Sequence, residues 1–227
     1  MSNFQQLMQE TTPARQQFME MPLIQEVVHK GASRDLYLDF LTQAFHHVKC
    51  TAPLLASAAG RCNVDDYVYQ AALFEYIGEE RGHELWILED INALGGDAEE
   101  VRISAPRLPC KLMVGHAYYL IDRVSPYAML GMIHVLEGMA VALASKAVSA
   151  IRSSIASTTD EGFKYLTTHG DLDIRHAEFF EGLIDKLDRQ HLPLVIETAT
   201  DFYKLYGDLF RELDQRRAAS KTASAAQ

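Results

Sequence analysis

The segment His169-Gly170-Asp171-Leu172-Asp173-Ile174-Arg175-His176 places an imidazole, a carboxylate and a second imidazole at positions i, i+4 and i+7. On an α-helix these three lie on one face, with Asp173 about 40° and His176 about −20° around the axis from His169. Tyr165, Leu166, Leu172, Phe179, Phe180, Leu183 and Leu187 continue the same face as an apolar stripe, so the polar triad interrupts a surface that looks inward. Burying two imidazoles and a carboxylate without compensation costs several kcal/mol, and a bound cation gives all three a common partner. The plainer alternative is a pair of ordinary helix histidines beside a solvated aspartate, and the remainder of the chain decides between the two.

Two further stretches supply the same donor types. In Glu79-Glu80-Arg81-Gly82-His83 the two carboxylates stand four and three residues before the imidazole, so either can share its face. Glu-x-x-His is also the spacing with which helical bundles build carboxylate-bridged two-metal centres. His83 continues the stripe formed by Tyr69, Leu73, Tyr76, Ile87 and Leu94. Glu137 is the sole acidic residue between Tyr127 and Lys146, and a carboxylate in the middle of an apolar helix needs a cation or a proton. His134, one turn earlier, reads as a satisfied core histidine. Tyr76, Trp86, Tyr118 and Tyr119 are read as core aromatics before any substrate role is assigned to them.

Together Glu79 or Glu80, His83, Glu137, His169, Asp173 and His176 make three carboxylates and three imidazoles on three helices. Mixed oxygen and nitrogen donors suit iron or manganese better than a structural zinc. Six protein ligands exceed what one open catalytic metal needs and suit two. The expectation is a dinuclear centre with Glu137 among its ligands.

The elements that position these groups are all helical by their hydrophobic period, and no alternating β-branched runs bounded by hairpin turns are found. About seven helices are expected. A first region covers Phe4 to Lys30 with a break near Met21-Pro22; one long helix runs from Ser33 to Ala59, and another from Asn63 or Asp65 to Leu94. Asp97 to Pro109 reads as the longest loop, followed by helix from Cys110 to Val124. Ser125-Pro126 opens a helix to Ser153. Thr158-Thr159-Asp160-Glu161 is a capping-box pattern opening the triad helix to Leu187, and Pro193 begins the last helix, to Arg217. The domain expectation is one helical unit over residues 1–217, with a flexible Ala/Ser-rich tail over 218–227.

The chain has 227 residues, 48% of them hydrophobic and 23% charged, which fits an all-α globule with a sizeable core. No uninterrupted apolar run approaches the roughly 18 residues of a membrane span, and Met1-Ser2-Asn3-Phe4 does not resemble a secretory signal; the expected location is cytoplasmic. Cys50, Cys62 and Cys110 are odd in number and widely spaced, which argues for reduced thiols. A net charge of −10 without a Lys/Arg stripe argues against a nucleic-acid partner. A small-molecule substrate is expected, with neither nucleic acid nor membrane as partner and with a homodimer allowed.

The motif set resembles the heme-oxygenase-like diiron oxidases and oxygenases, iron-containing redox enzymes related to the thiaminase-II and pyrroloquinoline-quinone synthase proteins. The carriers are Glu79-Glu80-Arg81-Gly82-His83-Glu84-Leu85-Trp86 with Asp90 and Leu94-Gly95 behind it, then Glu137, then His169-x3-Asp173-x2-His176. The family's ligand order is Glu, His, Glu and then His-x3-Asp-x2-His. Family members commonly separate the first Glu and His by six residues across an interrupted helix. In this chain Glu79 is preferred as the first of the pair, with Glu80 as the alternate. The resemblance implies a heme-oxygenase-like bundle of helices holding two iron ions, Fe/Fe ahead of Mn/Fe, with Glu137 as the catalytic residue that bridges or shifts between them. Dioxygen would be the co-substrate, and the reaction an oxidation of a small carboxylate, amine or lipid-derived molecule.

Three rivals stand beside this reading. Heme degradation would use an axial histidine from His29, His46 or His47 and leaves Glu137 and the triad unexplained. A thiaminase-II-like hydrolase would need Cys110 or Cys50 as nucleophile. A non-catalytic ligand-binding helical protein would use the polar set as a hydrogen-bonded core.

Overall fold

Ser2 opens the first helix with a capping box in which its hydroxyl accepts from the Gln5 amide, satisfying donors that a helix start leaves orphaned. The same logic recurs where Ser33 accepts from the Leu36 amide and Asp97 from the Glu100 amide. In the computed structural model the backbone is described for residues 1–225, and the side chains for residues 1–168 and 176–222. The helices are α1 (Asn3–Glu10), α2 (Thr12–Met19), α3 (Pro22–Lys30), α4 (Arg34–Val48), α5 (Thr51–Ala59), α6 (Tyr67–Glu80), α7 (His83–Ala93), α8 (Ala98–Ile103), α9 (Leu108–Arg123), α10 (Met129–Ser154), α11 (Lys164–Lys186) and α12 (Leu192–Ala225). Among the described residues there is no β-strand, so the all-α expectation holds.

The expected number of helices was too low because long periodic stretches are broken at single turns. The 33–59 stretch divides between Val48 and Thr51, and the 67–94 stretch divides at Arg81-Gly82. Gly82 sits at φ +101°, a left-handed conformation that glycine adopts without the steric cost other residues incur. The loop expected from Asp97 to Pro109 contains the short α8, capped by Asp97. The capping box expected at Thr158–Glu161 does not form. The chain there is a turn, and α11 begins at Lys164 behind Phe163, without a side-chain cap of its own. Its first two amides instead donate to the buried Asp90 of α7, Lys164 N to Oδ1 and Tyr165 N to Oδ2, both at 2.8 Å. The last helix continues past Arg217 to Ala225, consistent with the helix propensity of its alanines.

α10 is the central element and packs most extensively on α11 and α12. The close approach of α10 to α12 depends on Gly131, where a Cβ would lie 2.6 Å from the Ala199 amide nitrogen. The core on its flanks includes Leu130, Met132, Val135, Ile184, Val195 and Phe202. Residues Pro126–Ser154 are, by length and composition, apolar enough to cross a membrane. A search for uninterrupted apolar runs misses this because Glu137 and small polar residues punctuate the stretch. Inside the molecule 56% of its most apolar window is buried, as in the core helix of a bundle.

Candidate metal centre

Four helices meet at the break between α6 and α7. α6 delivers Glu79 and Glu80 in its last turn, α7 begins with His83, and the middle of α10 supplies Glu137. His176 comes from α11. Because the chain turns at Gly82, Glu80 points inward beside the first residue of the next helix. Glu80 Oε2 lies 3.2 Å from His83 Nδ1, and the two side chains are 8% and 4% exposed. His176, 3% exposed, has Nε2 2.9 Å from Glu79 Oε2. Its Nδ1 is 3.8 Å from Glu80 Oε1 and 4.0 Å from Glu137 Oε1. One ligand atom from each of Glu80, Glu137 and His176 falls within 4.8 Å of the others.

The structure therefore brings together Glu79, Glu80, His83, Glu137 and His176 of the expected set, while His169 and Asp173 lie outside the described side chains. Of the Glu pair, the buried member of the tight group is Glu80. Glu79 approaches from the rim, with its side chain 44% exposed. Three carboxylates converging with two imidazoles in a mostly buried site form an oxygen and nitrogen donor set that fits iron or manganese. A cation held there would offset this concentration of negative charge.

Tyr76, one turn before Glu80, is 1% exposed, and its hydroxyl has no hydrogen-bond partner among the described residues. Burial, then the Glu137, Glu80 and Glu79 carboxylates, push its pKa upward, so the phenol keeps its proton. Tyr76, Glu80 and Glu137 share a cavity of about 60 Å³. Trp86 stacks on His83 with ring centroids 4.2 Å apart, and Tyr119 is exposed on α9. His134 is a core histidine, with Nε2 3.2 Å from Thr11 Oγ1, and burial lowers its pKa to about 4.

The contribution of Asp90 was not assigned from sequence. Asp90 is 1% exposed and holds the start of the helix that carries His176. Burial raises its pKa to about 6 against the lowering effect of the two backbone N–H bonds. Its partners lie more than 70 positions away in the chain, so no local pattern announces them.

The thiols do not offer a nucleophile. Cys110 is 1% exposed and burial pushes its pKa up to about 12. Burial also raises that of Cys50, which keeps both protonated. His46 is held by Ser104 Oγ at 3.0 Å and Lys49 Nζ at 3.1 Å. Burial, then Lys49 and Arg107, bring its pKa down to about 4.

Comparison with known proteins places the chain. Residues 38–207 match the family model described as iron-containing redox enzyme. A curated relative, 4-aminobenzoate synthase of Chlamydia muridarum, is 25% identical over 169 residues, which is 72% of this chain and 70% of the relative. A Shewanella denitrificans domain of unknown function with a heme oxygenase-like fold superposes with a TM-score of 0.86 at 21% identity, covering 97% of this chain and 95% of that one. Heme oxygenase-1 from the cyanobacterium Synechocystis, solved in complex with heme, gives 0.77 at 10% identity over 100% and 99% of the two chains. The chain belongs to the iron-containing redox enzyme family and has the heme-oxygenase-like fold.

Proposed function

We propose that this protein is a nonheme dinuclear-iron oxidase or oxygenase that uses dioxygen to oxidise a small organic substrate. The observation that carries the reading is the convergence of Glu80, Glu137 and His176 from three helices, with ligand atoms within 4.8 Å of one another. Glu79 and His83 stand beside them. These residues, with His169 and Asp173 of α11, would hold the metal pair. Two ferrous ions held there would supply electrons to dioxygen.

The protein's own part is geometric and electrostatic. Glu137 offers two carboxylate oxygens from a helix stretch that carries no other acid, so its charge is directed at the cluster alone. His83 and His176 are buried imidazoles whose ring nitrogens would serve as ligands. Tyr76 holds its proton and presents an O–H donor on the wall of the cavity that Glu80 and Glu137 line. Burial of the cluster excludes bulk water, which limits side reactions of an oxidising centre. The name of the Chlamydia relative is in keeping with small-molecule chemistry on this scaffold.

The test is oxygen consumption by anaerobically ferrous-loaded protein on mixing with oxygenated buffer, for the wild type, Glu137→Gln and Asp173→Asn. The wild type is expected to react at least tenfold faster than either variant and to give an absorbance transient that both lack. Equal rates and identical transients in all three would overturn the proposal.

A further inference from the structure

Directly behind the carboxylate cluster lies a second cavity of about 130 Å³. It shares four wall residues, His47, Leu136, Ala140 and Tyr165, with the smaller cavity beside Glu80 and Glu137. The space exists because one face of α10, running on from Glu137, carries Ala140, Ala144 and Ala147 where larger side chains would fill it. Ten residues of helix from Glu137 to Ala147 span about 15 Å, so the cavity extends away from the cluster along α10. Among the described residues its lining includes no Asp, Glu, Lys or Arg, and its polar groups are confined to His47 and tyrosines.

We infer that this cavity is the binding site for the apolar tail of the substrate, an uncharged alkyl or aryl group of about six carbons. The reactive end of the molecule lies in the smaller cavity beside Glu80 and Glu137. The size follows from the volume, since an apolar cavity of about 150 Å³ holds benzene. The chemistry follows from the lining: a charged group in that cavity would lose its hydration and gain no ionic partner, whereas each buried methylene is favourable. The inference rests on the proposed oxidation only in naming which end of the molecule reacts.

The probes are straight-chain alcohols from butan-1-ol to nonan-1-ol, whose neutral head needs no metal, with 4-phenylbutan-1-ol as the aryl arm and 1,8-octanediol as the polar control. Binding is measured by calorimetry on the full-length protein, both metal-free after chelation and loaded with ferrous iron. Affinity is expected to rise about fourfold per methylene and to level off near eight carbons. 1,8-Octanediol should bind at least tenfold more weakly than octan-1-ol. Preference for 4-phenylbutan-1-ol over octan-1-ol would identify the tail as aryl, and the reverse as alkyl. Met139→Ala, which enlarges the cavity, should move the plateau to longer chains. Ala144→Phe, which fills it, should move the plateau to shorter ones.

An affinity independent of chain length, or a plateau that neither substitution moves, overturns the inference. Chain-length dependence in metal-free protein that binds no iron would overturn the dinuclear-iron reading alone. Iron binding without chain-length dependence would overturn the tail site alone.

Discussion

Glu137 is a carboxylate set alone in an apolar helix. It was legible because the helix around it contains no other acid, and the structure sets its carboxylate 4.0 Å from His176 Nδ1. The choice within the Glu79-Glu80 pair was harder to read. A straight helix would make both carboxylates neighbours of His83, and only the turn at Gly82 decides that Glu80 is the buried one. The signal was present, as a glycine inside an otherwise good helix, but a lone glycine does not say which way the chain turns. Tyr76 yields a prediction at the same scale. Its hydroxyl is buried without a hydrogen-bond partner among the described residues, so Tyr76→Phe in metal-free protein should leave stability unchanged or raise it by about 1 kcal/mol. Urea denaturation measures this, and a loss of more than 1 kcal/mol would mean that the hydroxyl has a structural partner after all.

At the scale of elements, helix existence was legible from period and capping residues, whereas breaks and long-range caps were not. The start of α11 depends on Asp90 of α7, an arrangement that no local signature at 158–161 could announce. Asp90→Ala removes acceptors for two first-turn amides and should cost about 1–3 kcal/mol. It should also weaken iron binding, because α11 carries His176. Asp90→Asn keeps the shape but has one acceptor oxygen, and should lie between. The pH dependence has a definite sign. A buried carboxyl whose pKa rises from 3.8 to about 6 binds its proton more tightly in the folded state. Its contribution to stability is fully present below about pH 4 and declines as pH rises through 6. The stability difference between wild type and Asp90→Asn should therefore shift in favour of the wild type as pH falls from 7 to 4.5, as read from urea midpoints. A difference that stays constant would remove Asp90 from the linkage.

For the molecule as a whole, the bundle places four helices around one polar cluster while leaving an apolar cavity along α10. The sequence led to the all-α class through periodicity and to the heme-oxygenase-like fold through resemblance. The cavity was not legible, because alanines at 140, 144 and 147 read as ordinary helix formers until their neighbours are known. The apolar cavity along α10 is by itself too small for a heme. A tetrapyrrole is several times larger than the benzene that about 150 Å³ accommodates, and the cavity here is about 130 Å³. Hemin titration should give no saturable Soret shift at micromolar protein, and a stoichiometric shift would show that the helices part to admit the macrocycle.

The most direct measurement of the central claim is the ferrous iron stoichiometry of the full-length protein, titrated anaerobically, for the wild type and Glu137→Ala. Helical content is followed by circular dichroism in both. Two iron ions per wild-type chain are expected, with the loss of at least one in Glu137→Ala and the helical signal retained. Equal iron stoichiometry in the two proteins, or a wild type that binds no iron, would contradict it.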